Sequence, residues 1–254
     1  MKLTLIGNGI MAQSLAKGLI KNHEVEIIGR DIEKLKAIHE KMPQVTIKLL
    51  DDQENITGKN VIFCVKPYAL QSVSVRLTGE ANVLLSILAG TKLETLKKQI
   101  RARHYIRTMP NIAASVQHSM TTITGDKEAM DIAMEIFSSI GQAIWVNTEN
   151  QLDIATAIAG SGPAFLALVA EALADGAVKA GLERHLSTQL VQGLFIGTSA
   201  LLKHSHPAII KDSVMSPGGT TAAGYAQLEE HGVRNAMIKA IEEAYNKAVE
   251  LGKK

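Results

Sequence analysis

The chain of 254 residues has one cysteine, few aromatic residues and almost no net charge. Its single thiol, Cys64, excludes an internal disulfide and fits a reducing compartment. Because aromatic residues make up only 4%, there are few rings on which the bases of a single-stranded nucleic acid can stack. A net charge of +2, from 27 basic and 25 acidic residues, also argues against a nucleic-acid binder.

Long uninterrupted apolar runs are also hard to find in the sequence. The most apolar windows are short, or are interrupted by Glu171 and Asp175, so we expect no membrane-spanning segment. Residues 1–6 have the pattern of a strand that enters a glycine turn, which is not that of a cleavable signal peptide. We therefore expect a cytoplasmic protein that binds neither membrane nor nucleic acid.

Short apolar runs alternate with amphipathic segments in the first part of the chain. Eight runs are candidate strands, at residues 3–6, 25–28, 46–49, 61–65, 83–87, 105–109, 120–124 and 143–146. Five segments between them have a helical pattern, at residues 11–21, 32–41, 68–77, 93–101 and 127–140. This alternation predicts an α/β fold of the Rossmann type, with a mostly parallel sheet and helices on both faces.

No strand pattern follows residue 150, and the rest of the chain reads as helices. The candidates are residues 163–180, 186–203, 207–214, 221–231 and 233–251. We therefore predict a dinucleotide-binding domain at residues 1–150 and an all-helical domain at residues 151–254. The first two of these helices are apolar almost all round, which requires burial on every side. A homodimer through the helical domain would supply that burial; the alternative is packing within one chain.

A glycine-rich turn follows the first candidate strand and opens the first helix. It reads Gly7-Asn8-Gly9-Ile10-Met11-Ala12, the context of the dinucleotide-binding fingerprint with alanine at its third position. Such a turn brings the backbone close to a pyrophosphate at the helix N-terminus. We expect the cofactor to contact Ile6, Gly7, Asn8, Gly9, Ile10 and Met11.

The end of the second strand bears on which cofactor is bound. It reads Ile28-Gly29-Arg30-Asp31, whereas an NAD site commonly has an acidic residue at this point. Gly29 leaves room for a phosphate and Arg30 can bind it through its planar guanidinium group. This favours NADPH, with NADH as the alternative, because Asp31 either takes the acidic role or caps the next helix.

Three later strand ends complete the predicted cofactor site, since ligands of open α/β sheets lie beyond the carboxyl ends of the strands. The segments are Cys64-Val65-Lys66-Pro67, Leu88-Ala89-Gly90 and Met109-Pro110-Asn111. Lys66 either reaches the nucleotide or is solvated, and Cys64 is expected to be a buried packing residue. The other two segments are predicted to line the nicotinamide pocket.

Two glycine-rich helix starts in the helical half are candidate sites for a carboxylate. The first is Ser161-Gly162-Pro163, and the second is the run from Asp212 to Thr221, which contains Ser216-Pro217-Gly218-Gly219-Thr220-Thr221. Free amides of a first helical turn bind anions, although a loop with a threonine N-cap is the plainer alternative. Glu171 and Asp175 read as structural, and the histidines form neither a metal cluster nor a catalytic triad.

Together these motifs resemble the pyrroline-5-carboxylate reductase family over essentially the whole chain. The resemblance rests on the glycine turn, Val65-Lys66-Pro67, Ser161-Gly162-Pro163-Ala164-Phe165, and residues 211–221, the most specific part. It implies reduction of L-1-pyrroline-5-carboxylate to L-proline with NADPH or NADH. It also implies dimers through the helical domain, assembled in some members into rings of five dimers, a decamer.

The resemblance also implies roles for residues of the helical half. Thr221 matches the threonine whose hydroxyl meets the substrate ring nitrogen, and we expect it to be the catalytic residue. We expect the substrate to contact Ser161, Gly162, Ser216, Gly218, Gly219, Thr220 and Thr221, chiefly through backbone amides that hold its carboxylate. Two departures concern these contacts: Ala159 stands where a serine is expected, and residues 203–207 lack an acidic residue.

Two other functions are compatible with a Rossmann domain followed by helices. A 3-hydroxyacid dehydrogenase of the 6-phosphogluconate dehydrogenase type should have a lysine and an asparagine four residues apart, and Lys179 has no such partner. A non-catalytic NADP sensor would not need intact Ser161-Gly162-Pro163 and 217–221 segments. No metal site is predicted.

Overall fold

The computed structural model describes residues 1–252 and divides into two compact units. The first unit comprises Met1–Ser161 together with the chain from Ala244 onward, and the second comprises Gly162–Glu243. The first unit contains every strand of the described chain, and the second is helical.

The first unit is built on one eight-stranded sheet. Its strands are β1 (Lys2–Ile6), β2 (Glu24–Gly29), β3 (Thr46–Leu49), β5 (Asn60–Phe63), β7 (Ala81–Ser86), β8 (Ala102–Met109), β9 (Ser119–Gly125) and β10 (Gly141–Trp145). Two short strands, β4 (Glu54–Asn55) and β6 (Leu77–Thr78), form a separate two-stranded sheet. The strand order is β10-β9-β8-β7-β5-β1-β2-β3. All neighbours are parallel except β8 and β9, so the predicted mostly parallel α/β sheet is confirmed.

Helices connect the strands of this sheet. They are α1 (Ile10–Leu19), α2 (Ile32–Lys41), α3 (Leu70–Ser74), α4 (Leu93–Gln99) and α5 (Met130–Ser138), and α6 (Glu149–Ala155) follows the last strand, β10. Buried apolar side chains form two clusters: Leu3, Leu5 and Leu15 belong to one, and Ile6 and Phe63 to the other. The sheet is therefore covered on both faces, as crossover helices require.

Two of the predicted helices are shorter than the apolar pattern suggested. The segment predicted at residues 68–77 is a 3-10 turn, Pro67–Ala69, followed by the five residues of α3. The segment predicted at residues 127–140 likewise begins with a 3-10 turn, Lys127–Ala129, before α5. Strands β4 and β6 were not predicted, because two residues are too few to show an alternating pattern.

The second unit contains α7 (Gly162–Lys179), α8 (Arg184–Leu202), α9 (Pro207–Ser213), α10 (Thr220–Glu230) and most of α11 (Val233–Leu251). Helices α7 and α8 pack against each other, and Asp175 forms an ion pair with Arg184 at 2.5 Å. Asp175 thus has the structural role that the sequence suggested. Several large apolar side chains of these two helices are more than half exposed in the single chain: Leu166, Leu168, Leu190, Leu194 and Ile196.

The helical run Glu149–Lys179 corrects the expectation that no apolar stretch is long enough to cross a membrane. By length and composition this run can do so, and only 17% of its apolar window is buried in the single chain. The glycines near residue 160 resemble a helix break, so the sequence predicts that a new helix begins at Pro163. The structure instead continues from α6 through a π-helical turn, Thr156–Gly160, towards α7.

Candidate active site

The glycine turn after β1 lies at the carboxyl edge of the sheet, in the first unit. Gly7 has a φ of +122°, and its N–H donates to the carbonyl oxygen of Ile28 at 2.8 Å. A Cβ atom there would lie 2.8 Å from the backbone carbonyl oxygen of Cys64, so only glycine fits. Gly7 therefore serves the fold of the turn itself.

Gly9, unlike Gly7, is not required by the backbone conformation or by contacts within the protein. It is the N-cap of α1 with a φ of −77°, which any residue can adopt, and a Cβ atom there would have no atom within 4 Å. No side chain caps the helix at this position, so its first amides are left for another partner. The open space and the uncapped turn fit a dinucleotide pyrophosphate.

A cleft next to this turn brings together most of the predicted cofactor residues. Among its lining residues are Ile6, Gly7, Asn8, Gly9, Arg30, Cys64, Val65 and Lys66. Ile10 and Met11 do not line the cleft; they are the first two residues of α1, where their backbone amides belong to the uncapped turn. The sequence did not single out Leu50, Tyr68 or Val73, which also line it.

Asp31 and Arg30 have different surroundings at the end of β2. The Asp31 carboxylate caps α2, because it accepts a hydrogen bond from the Lys34 backbone N–H at 3.1 Å. That hydrogen bond, with help from the Lys34 side chain, lowers the pKa of Asp31. Within residues 1–252, Arg30 has no hydrogen bond or ion pair. Of the two alternatives for Asp31, the structure shows the helix cap, and the Arg30 side chain lines the cleft.

Cys64 is a packing residue, as predicted. Its thiol lies close enough to donate to the Ile62 carbonyl oxygen at 3.4 Å, and burial raises its pKa. A thiol that is protonated at neutral pH is a poor nucleophile. The residue contributes to the cleft through its backbone, which packs against Gly7.

A second cleft in the same unit adjoins the first through Lys66 and Tyr68. It contains the remaining predicted cofactor residues, Pro67, Ala89 and Gly90. The end of α11 also lines it: a Cβ atom on Gly90 would lie 2.7 Å from the backbone nitrogen of Gly252. No local signal in the sequence indicated that residues near 252 return to this strand end.

Tyr68 lies at both clefts and is 86% exposed. The sequence pattern places Tyr68 at the start of a predicted helix, which gives no reason to expect it at a cleft. The available signal was an aromatic residue directly after the Lys66-Pro67 strand end in a chain with few aromatic residues.

A buried charge network joins Arg107, near the end of β8, to α6 and to the start of α4. Arg107 is 1% exposed, and its guanidinium nitrogens donate to Glu149 Oε1 and Asp153 Oδ1, both at 2.8 Å. Lys92 Nζ adds a hydrogen bond to Asp153 Oδ2 at 2.6 Å. Four side chains therefore fix α6 to the sheet and to the start of α4. No local pattern in the sequence indicates this network, because its members are far apart along the chain.

Ser161 follows the π-helical turn at the end of the first unit. Its backbone N–H donates to the Thr156 carbonyl oxygen at 3.2 Å, so this amide is already used. The hydroxyl of Ser161 is left as the group that can contact a ligand. Gly162, the first residue of α7 in the second unit, has no atom within 4 Å of a Cβ position.

The other candidate carboxylate site lies in the second unit, at the start of α10. Gly218 has a φ of +69°, and the Gly219 N–H donates to the Ser216 carbonyl oxygen at 3.0 Å. Gly219 is the N-cap, and neither a side-chain cap nor an acidic residue satisfies the first turn. The threonine-cap alternative is therefore wrong: Thr220 and Thr221 are the first two helical residues.

The loop before α10 is flanked by a polar cluster on the surface of the second unit. Lys211 Nζ lies 5.3 Å from the ring centroid of Tyr225, and Tyr225 Oη donates to Glu229 Oε1 at 2.6 Å. Hydrogen bonds with Arg234 and Tyr225 lower the pKa of Glu229, so the carboxylate stays ionised. These contacts connect α9 to α10 across the loop that carries Ser216, Gly218 and Gly219.

Comparison with known proteins assigns both halves of the chain. The family model for an "NADP oxidoreductase, coenzyme F420-dependent" matches residues 2–90, and the model for "pyrroline-5-carboxylate reductase dimerisation" matches residues 149–251. The fold and these matches define an NADP-type oxidoreductase with a C-terminal dimerisation domain.

Full-length relatives make the assignment specific. Pyrroline-5-carboxylate reductase of Synechocystis is 40% identical over 100% of this chain and 99% of its own, and that of Helicobacter pylori J99 is 37% identical over 96% and 98%. The solved pyrroline-5-carboxylate reductase of Streptococcus pyogenes has a TM-score of 0.86 at 30% identity, covering 98% of each chain. The Plasmodium falciparum enzyme, solved with NADP bound, has a TM-score of 0.84 at 28% identity, covering 99% of this chain and 100% of its own. The chain belongs to the pyrroline-5-carboxylate reductase family.

Proposed function

We propose that the protein reduces the imine of L-1-pyrroline-5-carboxylate to L-proline with NADPH, the last step of proline biosynthesis. The observation that carries the proposal is the uncapped first turn of α10, which follows the Ser216–Gly219 loop in a chain that aligns over its full length with pyrroline-5-carboxylate reductases. That turn presents amide donors to a small carboxylate. It has no competing acidic side chain.

The glycine turn and its cleft are the proposed cofactor site. The first turn of α1, with Ile10 and Met11, would hold the pyrophosphate beside Gly9, and Arg30 would hold the 2′-phosphate that distinguishes NADPH from NADH. Lys66, Pro67, Ala89 and Gly90 would line the part of the site that receives the nicotinamide. The hydride comes from the reduced nicotinamide when the cofactor is bound.

The other residues of the proposed site would bind and orient the imine. The backbone amides of Gly218, Gly219 and Thr220, with the hydroxyl of Ser216, would hold the carboxylate. Ser161 and Gly162 are proposed as further substrate contacts. The Thr221 hydroxyl would hydrogen-bond to the ring nitrogen. A protonated imine is already electrophilic, and a threonine hydroxyl is too weak an acid to serve as the proton donor at neutral pH. Thr221 therefore acts by orienting the ring.

We further propose that the protein is a homodimer through the helical domain, with a decamer of five dimers as its larger assembly. The exposed leucines of α7 and α8 support the dimer, since they leave an apolar surface that a second copy would cover. The same cover would account for the apolar run Glu149–Lys179 in a protein that does not enter membranes. The single buried thiol supports a cytoplasmic location.

The test is a spectrophotometric assay with pyrroline-5-carboxylate and either cofactor. Wild-type protein should consume NADPH in proportion to the proline formed. If neither NADPH nor NADH is oxidised in the presence of pyrroline-5-carboxylate, the proposal is contradicted. Thr221→Ala should lower kcat by more than about tenfold, the usual scale for loss of an orienting hydrogen bond, with unchanged NADPH affinity. Thr221→Ser retains the hydroxyl and should recover most of the rate. Near-normal turnover of Thr221→Ala would remove this residue from the mechanism.

A further inference from the structure

The π-helical turn Thr156–Gly160 leaves one carbonyl group without its usual helical donor. In an α-helix the Ala159 carbonyl oxygen would accept from the N–H four residues on, but that residue is Pro163, which has no N–H. Ala159 is only 9% exposed, so water does not readily replace the missing donor. A buried carbonyl group needs a partner from elsewhere in the protein.

Asn111 provides that partner. Its Nδ2 donates to the Ala159 carbonyl oxygen at 2.9 Å, and its Oδ1 accepts from the Ala113 N–H at 3.0 Å. The Asn111 backbone N–H also donates to Ser119 Oγ at 3.1 Å. With 8% exposure and both ends of the amide engaged, the side chain has one orientation. It joins the end of β8 to the turn, two residues before Ser161.

We propose that Asn111 is a positioning residue for the substrate: it fixes the π-helical turn and so places the Ser161 hydroxyl. This proposal rests on the proposed function, because it assigns the turn to substrate binding. It goes beyond the expectation that Asn111 merely lines the nicotinamide pocket.

Because the buried charge network holds α6 in place by itself, a change at Asn111 should affect the position of the turn more than the stability of the fold. Arg107 already anchors α6 to β8 through Asp153 at 2.8 Å, three residues before the π-helical turn begins at Thr156. Loss of the Asn111 donor should therefore loosen the turn without detaching α6. Small displacements of a binding group can cost about 100-fold in rate, so a local change suffices to be measured.

The test uses Asn111→Asp, which keeps the shape and the Oδ1 acceptor for Ala113 but replaces the donor to Ala159 with a second acceptor. We expect kcat/KM for pyrroline-5-carboxylate to fall at least about tenfold, mainly through a higher KM, while the NADPH dissociation constant stays within about twofold of wild type. Asn82→Asp is the matched control: it removes a side-chain donor, Asn82 Nδ2 to Asn60 Oδ1 at 2.9 Å, away from the turn. A rise in the NADPH dissociation constant with unchanged KM would assign Asn111 to the cofactor and overturn the proposal.

Hydrogen–deuterium exchange gives a readout that does not depend on activity. Amides of residues 156–162 should exchange at least about tenfold faster in Asn111→Asp and at the wild-type rate in Asn82→Asp. Unchanged exchange would overturn the proposal even if the wild-type enzyme reduces the imine. A wild-type enzyme that does not reduce the imine, with faster exchange in the variant, would instead contradict the proposed function and leave the structural link intact. If Asn111→Asp does not fold, Asn111→Ser can still accept from Ala113 and is expected to show the same changes.

A double-mutant cycle tests why the asparagine is needed. Pro163→Ala restores an N–H at the position from which an α-helix would bond Ala159. The loss of kcat/KM caused by Asn111→Asp should then be at least about threefold smaller in the Pro163→Ala background than in wild type. Equal losses in both backgrounds would show that Asn111 does not compensate for the proline.

Discussion

Gly9→Ala is predicted to separate cofactor binding from folding. In the folded chain a methyl group at this position meets no atom within 4 Å, and the φ of −77° suits alanine. The space is empty of protein atoms because, in the proposed site, the pyrophosphate lies there. The substitution should therefore weaken NADPH binding while leaving the fold in place.

The expected magnitudes follow from the position of Gly9 at the helix start. Alanine is a poorer N-cap than glycine by roughly 1 kcal/mol. It also restricts the unfolded chain, which stabilises by about 0.4–1 kcal/mol where φ is compatible. The two effects oppose each other, so the free energy of unfolding should change by less than about 1 kcal/mol. If the methyl group removes one hydrogen bond to the charged phosphate, about 1.5–3 kcal/mol, the NADPH dissociation constant should rise about 10- to 150-fold.

The measurements are urea unfolding and titration of NADPH by its fluorescence, with Gly7→Ala as the contrasting variant. At Gly7 the added Cβ would lie 2.8 Å from a backbone oxygen at a φ of +122°, which costs about 1–3 kcal/mol for the backbone alone. Gly7→Ala should therefore lose stability before any ligand is added. Wild-type NADPH affinity in Gly9→Ala, or a loss of stability equal to that of Gly7→Ala, would refute the reasoning.

Three further predictions concern the cofactor, the buried charges and the dimer. Arg30→Ala should raise the NADPH dissociation constant about tenfold or more but leave that of NADH unchanged, as measured by the same titration; equal effects on both would remove the 2′-phosphate contact. Arg107→Ala should destabilise the protein by about 3–5 kcal/mol in urea unfolding, because it takes a hydrogen-bonded cation from the buried carboxylate of Asp153 and leaves Lys92 as its remaining ion-pair partner. Arg103→Ala on the same strand loses only an exposed pair with a carboxylate at 3.6 Å and should cost under about 1 kcal/mol; similar losses in both would contradict the burial argument. Ile196→Glu, at a side chain 72% exposed in the single chain, should raise the dimer dissociation constant at least about 100-fold by sedimentation, whereas Val75→Glu, 73% exposed on the sheet unit, should not.

Features with a local cause were predictable from the sequence. The eight main strands coincide with short apolar runs of the right length. The glycine turn lies between a strand and a helix, and this context predicts dinucleotide binding. The rule that ligands lie beyond strand ends predicts cofactor contacts for Arg30 and Lys66, and the structure places both residues at one cleft. These predictions need only the neighbours of each residue along the chain.

Features that join distant parts of the chain were not predictable. The pairing of Arg107 with Glu149 and Asp153 depends on the packing of α6 against β8, and nothing near Arg107 in the sequence indicates its partners. The same is true of Gly90 and the end of α11. The π-helical turn is hidden for another reason: Gly160 and the nearby Gly162 resemble a helix break, and the bond that compensates for Pro163 comes from Asn111, 48 positions away from Ala159.

The protected thiol of Cys64 turns this chain into a reporter of its own unfolding. An alkylating reagent added for a short pulse should label only molecules whose sheet has opened, because Cys64 is the one cysteine and is sequestered in the folded state. Mass spectrometry of the alkylated protein at rising urea concentrations would then give the fraction of molecules in which the sheet has opened. Oxidants that inactivate enzymes with accessible cysteines should, for the same reason, spare the native form.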